Sequence, residues 1–302
     1  LDTVALVAKE ERMSMFNIKE HKKRVGDRLQ KTVKLDILKE VEDYFFHQAE
    51  SLGFEASYDV TAVQNPSFQT LSYTEWGTNF MVQPLNNDVR RDMILDSLLD
   101  PNSKTLRWDN YYSGVIAEKS ANKYSNRRSA NKVGRHSIVV PMGTNKFMDV
   151  MDIQKLIEVT KDGTSYIKPH PLTTHEYVGF MKDKCGENNV LDRDHDLYEM
   201  MVKSKKVYTT HYSESMLYAA MLGKDIDVVD KLGKHWQAAF WHFNQHILRT
   251  PKEYRIPQLN KILSSFHCGV FNPNVDNDWK SKMDLYLNYM VERREHFKGV
   301  FL

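Results

Sequence analysis

Apolar and polar positions follow two regimes along this chain. From residue 135 onward, short apolar runs alternate with stretches of helical spacing. Residues 136–141 (His-Ser-Ile-Val-Val-Pro) predict a strand, 142–145 a loop and 147–159 a helix. The alternation continues with a strand at 165–168, a helix at 174–184, a short strand at 189–191 and a helix at 195–203. A strand at 207–210, a helix at 213–222 closed by Gly223, and a strand at 226–229 complete it. Strands alternating with helices of about ten residues imply a parallel sheet built from right-handed crossovers. The first half is less regular. Residues 3–8 predict a buried strand followed by a basic loop. Leu35, Leu38, Val41 and Phe45 give residues 29–52 a helical stripe with Gly53 as its cap. Residues 56–63 and 78–83 predict strands, set off by turns at Asn65-Pro66 and Trp76-Gly77. After residue 230 the pattern is mainly helical, with an aromatic stretch (Trp236, Phe240, Trp241, Phe243) and an amphipathic helix at 280–296.

In open parallel sheets, ligands bind beyond the carboxyl ends of the strands. Two strands here deliver polar chemistry to that edge. One ends in Lys168-Pro169-His170-Pro171, and the other in His211-Tyr212-Ser213-Glu214-Ser215. Serines at a helix start cap free backbone N–H groups, and the same place accepts an anion. For Ser213 and Ser215 both readings stand, capping or a phosphate. His170 is either a packed structural histidine or a hydrogen-bond donor to a phosphate. Lys168 joins it at the strand end. His211 faces the cleft or packs beside Tyr212. Glu214 accepts from ribose hydroxyls or favours the helix start. Gly143 and Thr144 follow the first strand of this region, as a ligand-approaching loop or an ordinary turn; no Walker or GxGxxG fingerprint is present.

Taken together, the Lys-Pro-His-Pro run, the Val-Tyr-Thr-Thr-His-Tyr-Ser-Glu-Ser run some forty residues later and the Tyr-Ala-Ala-Met-Leu-Gly-Lys that follows resemble the donor domain of GT-B glycosyltransferases. The resemblance is to the His-Pro-motif group, which includes capsule polysaccharide transferases and polysialyltransferases. It covers residues 137–230 and leaves out the first half. It implies an α/β, GT-B-like fold of two Rossmann-like domains facing a cleft, with C-terminal helices. The implied division is an acceptor-side domain at 1–134, a nucleotide-sugar domain at 135–232 and a helical segment at 233–302 that crosses back to the first domain. It implies that His170 and Ser213 or Ser215 contact the phosphate of a UDP- or CMP-sugar, with no further cofactor. Positioned donors there would stabilise the charge that grows on the leaving phosphate. A base from the first domain would activate the acceptor hydroxyl. Glu10 and Glu11, after the first strand, and Asp109, beside Trp108, are the candidates, each equally readable as a surface carboxylate. No DxD-type motif is convincingly placed, and metal dependence is not implied.

Charge sharpens the question of the acceptor. Lys and Arg total 42 against 40 Asp and Glu, so the balance is near neutral. The distribution is uneven. Lys119, Lys123, Arg127, Arg128, Lys132 and Arg135 run without an acidic residue between them, interleaved with Tyr124 and Asn126. That stretch is a solvated linker or a surface for the phosphates of DNA. In size and basic surface the chain is similar to phage GT-B enzymes that glycosylate hydroxymethylated DNA bases. A hydroxymethylated pyrimidine in DNA is therefore the expected acceptor, with a capsule or cell-surface glycan as the alternative. A nucleotide-sugar epimerase and a non-catalytic binding module are the readings of another class. Two cysteines without metal-ligand spacing exclude a disulfide framework or structural zinc site and point to the cytoplasm, that of the host if the chain is phage-encoded. No run nears the roughly 18 apolar residues of a membrane span.

Overall fold

The computed structural model describes residues 21–25, 28–32, 36–58, 68–76, 78–117, 136–141, 147–171, 173–231 and 239–301. Its first element is an antiparallel hairpin of β1 (His21–Val25) and β2 (Arg28–Thr32), where the sequence suggested a basic loop and, from residue 29, the start of a helix. Helix α1 (Asp36–Ser51) follows and buries Leu38, Val41 and Phe45, as expected from their spacing, together with Ala49; Leu35 lies outside the described residues. It ends in a Schellman turn. Gly53 takes φ 73°, its N–H reaches the Glu50 carbonyl, and the Phe54 N–H reaches that of Ala49.

Three strands come next: β3 (Glu55–Tyr58), β4 (Thr70–Trp76) and β5 (Asn79–Pro84). Two helices then pack beside them, α2 (Asn87–Leu99) and α3 (Trp108–Ala117). Strand β3 is parallel to β4, and β4 is antiparallel to β5. The fourth strand of this sheet, β10 (Val270–Phe271), comes from the far end of the chain and pairs antiparallel with β5. The first sheet is thus mixed, and the purely parallel Rossmann-like arrangement implied for the first domain is not what the described residues form. The final helix, labelled α11 below, lays Met283, Tyr286, Leu287 and Met290 into the core shared by this sheet and α1.

The second sheet is parallel. It holds β6 (Ser137–Val139), β7 (Ser165–Ile167), β8 (Lys206–Thr209) and β9 (Asp225–Val228), in the order β7-β6-β8-β9. Val190 adds a parallel bridge to Ile167 outside β7. Counted in chain order, the strands lie 3-2-1-4-5, the doubly wound order of a Rossmann fold. Helices cover both faces. Helices α4 (Phe147–Val150), α5 (Ile153–Thr160) and α6 (His175–Cys185) enclose one core with Val139, Ile167 and Val229. On the other face α7 (Leu197–Lys203) and α8 (Ser215–Met221) join a core that also takes in Trp76, Trp108 and Tyr112. Every residue of α8 is buried, so its chain of apolar side chains packs all round rather than on one stripe.

The helix expected at 147–159 breaks in two. Asp152 caps α5 by accepting from the Lys155 N–H at 3.0 Å, while its own N–H binds the Val229 carbonyl. Met151 bridges Asp230. The break therefore ties the start of α5 to the end of β9. The chain then leaves the second sheet through α9 (Trp241–Arg249) and α10 (Lys252–Ser264), reaches β10, and ends in α11 (Trp279–Phe301). Among the described residues no helix is long and apolar enough to cross a membrane.

Candidate functional site

The strand order sets where a ligand fits. The chain leaves β6 toward β7 on one side and later returns to β8 on the other, so the carboxyl ends of β6 and β8 form the switch point at which doubly wound sheets bind ligands. His211 stands two residues past β8, and Asp230 two residues past β9. The two meet. Asp230 accepts from the His211 backbone N–H at 3.1 Å and from its imidazole Nδ1–H at 2.9 Å. One carboxylate thus fixes a residue through both main chain and side chain. The side chains are nearly sealed, 6% and 1% exposed.

Helix α9 holds the same turn from outside. The Trp241 ring lies 5.1 Å from that of His211. The Asn244 side chain, fully buried, donates to the His211 carbonyl at 2.9 Å and to the Ser213 carbonyl at 3.0 Å. With its Nδ1–H committed to Asp230, the imidazole keeps Nε2 as its second polar atom, and Nε2 has no hydrogen-bond partner among the described residues. Tyr212 is half-buried, and burial pushes its phenol well above the ordinary value, so it remains a neutral donor.

Beyond His211 runs a chain of hydroxyls. Thr209 Oγ1 and Ser215 Oγ lie 2.7 Å apart, as do Ser215 Oγ and Ser213 Oγ. Ser213 Oγ also accepts from the Ser215 N–H at 3.2 Å. Ser215 is buried in this chain, while Ser213 remains half-buried at its outer end. Glu214 is half-buried at the helix start, with no side-chain capping bond. Ser213 therefore caps the turn, and its position also suits a ligand, whereas Ser215 is occupied by its neighbours.

The end of β7 differs from expectation. Lys168 is only 2% exposed, and its Nζ donates to the Pro169 carbonyl at 2.6 Å and the Arg193 carbonyl at 2.9 Å. Its ammonium braces two loops and is not offered to a phosphate. Arg193 in turn donates to the Thr173 carbonyl at 2.5 Å and to His175 Nε2 at 3.1 Å. The segment carrying His170 is so clamped from both sides, with His170 half-buried and its carbonyl accepting from Thr173. Close by, Asp192, Asp194 and His195 place one ligand atom each within 4.8 Å of one another.

Asp109 is far from a general base in character. Arg107 grips its carboxylate with Nε and Nη2 at 2.9 and 2.8 Å, and Asn260 Nδ2 adds a bond at 2.8 Å. The guanidinium hydrogen bonds hold its pKa down to about 2, too low to take a proton from a hydroxyl. Its role is to join the start of α3 to α10. Glu10, Glu11, Gly143 and Thr144 lie outside the described residues, as do Lys119, Lys123, Arg127, Arg128, Lys132 and Arg135.

Asp230, Trp241 and Asn244 are the members of this turn that sequence reasoning missed. Asp230 carries a usable signal, a carboxylate just past the last apolar strand of the sheet. Asn244 carries none, because its role depends on where α9 crosses.

Neither a family model nor a curated protein matches the chain. Two solved structures of the wall teichoic acid polymerase TagF are similar to it, both of a histidine-to-asparagine variant and one soaked with CDPG. The first is 13% identical, covers 92% of this chain and 67% of its own, and has a TM-score of 0.26. The second is 12% identical, with 93% and 68% covered and a TM-score of 0.25. At such scores the superpositions carry no argument. The chain is an α/β protein with one mixed and one doubly wound parallel sheet, and that description rests on its own strand pairing.

Proposed function

We propose that this chain is a glycosyltransferase that moves a sugar from a nucleotide-sugar donor to a hydroxyl acceptor. The observation that carries the reading is the switch point of the doubly wound sheet, with His170, His211 and Ser213 grouped along its carboxyl edge. In such a transfer the bond from the anomeric carbon to the phosphate breaks and negative charge grows on the leaving phosphate. Fixed donors stabilise that charge with no reorganisation at the moment of reaction. His170 and Ser213 are the side chains for this work, and the Lys168 brace holds the His170 loop in place. The division into an acceptor side at 1–134, a donor side at 135–232 and a C-terminal part at 233–302 belongs to the same reading. So do Glu10 and Glu11 as candidate bases.

The acceptor in this proposal is a hydroxymethylated pyrimidine in DNA, the partner that the basic run from Lys119 to Arg135 fits by charge. The test is a mass-spectrometric transfer assay with UDP- and CMP-sugars against DNA carrying cytosine or 5-hydroxymethylcytosine, and against glycan acceptors. A sugar mass added only to hydroxymethylated DNA is the expected result. Transfer to glycan alone would keep the transferase and discard the DNA acceptor. Isomerisation of the donor without any acceptor would replace the transferase by an epimerase. In the same assay His170→Ala should lower turnover by about 10²-fold or more while the fold stays intact.

A further inference from the structure

The proposed function leaves the His211–Asp230 pair without a task, although its geometry is the most tightly specified at the sheet edge. Asp230 binds His211 three ways, at 3.1 and 3.3 Å to the backbone N–H and 2.9 Å to Nδ1. Asp230 is itself anchored, since its backbone bridges Met151 and the Lys231 N–H binds the Val150 carbonyl. Asn244 pins the carbonyl of His211, and Trp241 limits the tilt of the ring. A carboxylate on Nδ1–H selects one tautomer of a neutral imidazole, the one whose lone pair is on Nε2. A fixed lone pair is an acceptor. Its matching ligand group is a hydroxyl, and the sugars of a nucleotide-sugar donor are rich in hydroxyls.

We infer that His211 is a specificity-determining residue whose Nε2 accepts a hydrogen bond from a hydroxyl of the donor, with Asp230 and Asn244 as its positioning residues. The inference rests on the nucleotide-sugar reading above. The hydroxyl belongs either to the ribose or to the transferred sugar, and the experiment separates the two. A site built to bond a hydroxyl discriminates strongly against the analogue that lacks it, because its own buried acceptor is then left unpaired.

The test is calorimetric binding to the full chain. The probes are UDP and CMP, their 2′- and 3′-deoxyribose counterparts, UDP-glucose, and UDP-glucose lacking single sugar hydroxyls. Wild type should bind one deoxy analogue at least about tenfold more weakly than its parent, the size of one lost hydrogen bond. A ribose analogue showing the loss assigns the ribose, and a sugar analogue assigns the transferred sugar. His211→Phe, which keeps a ring against Trp241, and Asp230→Asn should each bind parent and analogue alike, so the discrimination itself disappears. A structural role alone would weaken all probes together and leave their ratios unchanged. Should one variant fail to fold, judged by its thermal melt, the other still decides. Variants that keep the wild-type ratios, or a wild type that binds every analogue as well as its parent, overturn the inference and leave the transferase standing. A wild type that binds no nucleotide overturns the transferase reading and this inference with it.

Discussion

A single backbone angle or ion pair decides more at several positions than the residue type announces. Gly269 takes φ 65° at the turn into β10, and a Cβ there would strike the Val82 carbonyl oxygen and lie 2.9 Å from the Tyr286 ring. Gly269→Ala is expected to destabilise the protein by about 2–4 kcal/mol, measured as a lower urea midpoint, from left-handed strain and overpacking together. Asp109 makes a prediction in pH. Its pKa is lowered to about 2 by the Arg107 hydrogen bonds, so the folded state binds fewer protons than the unfolded state through the acid range. The resulting stability, reduced by solvent screening because Arg107 is exposed, is present above the ordinary carboxylate value near 3.8 and is lost as pH falls toward 2. Asp109→Asn should therefore melt lower than wild type at pH 7 and approach it at pH 2. An equal difference at both pH values would remove the linkage. In the transfer assay of the proposed function the same variant should behave as wild type, because the grip of Arg107 makes Asp109 a poor proton acceptor.

Elements were legible where periodicity and burial agree. The stripe of Leu38, Val41 and Phe45 placed α1, and the β/α alternation after residue 135 placed all four strands of the parallel sheet to within a residue or two. Strand β4 was missed. Its residues alternate in polarity from Thr70 to Thr74, but both faces are covered, so Ser72 and Thr74 are buried beside Leu71 and Tyr73 and burial does not alternate along it. Helix α3 was missed although Trp108, Tyr112, Val115 and Ile116 have helical spacing and are buried along it. The single helix expected at 147–159 failed at Asp152, whose capping bond matters more than the apolar count around it. Asp152→Ala should cost about 1 kcal/mol by thermal melting. It should also loosen the contact with β9, read as faster amide exchange at Asp152 and Lys231. Unchanged exchange would show that the cap alone is lost.

Over the whole molecule, the chain closes on itself. Strand β10 completes the first sheet, and α11 covers it, with Tyr286 donating to the Val82 carbonyl at 2.8 Å and Tyr44 to Asp284 at 2.9 Å. A chain ended after Ser265 should lose the cooperative melting of the part built on β3, β4 and β5, and limited proteolysis should cut there first. A truncated chain with the wild-type melting curve would show that the returning segment is dispensable. Helix α9 links the two sheets more directly. Trp76 in β4 stacks on Phe240 and meets Phe243 at a tilt, while Asn244, next to Phe243, holds the His211 turn.

Read along the chain, local pattern places α1 and the four parallel strands and sets His170, His211 and Ser213 just past strand ends. Those features follow from side-chain period and from short-range capping, which act over a few residues. Packing across the chain decides which of those polar groups are already engaged. Lys168 reads as a phosphate contact until its ammonium is seen between two carbonyls, one of them 25 residues away. Asp230, a carboxylate just past a strand, gains its partner only when parallel pairing brings β9 beside β8, and Asn244 reads as nothing in particular until α9 crosses the turn. The reason is physical. A buried charge or amide must find its partner wherever the fold places one, and that partner is set by packing across the chain, not by spacing along it.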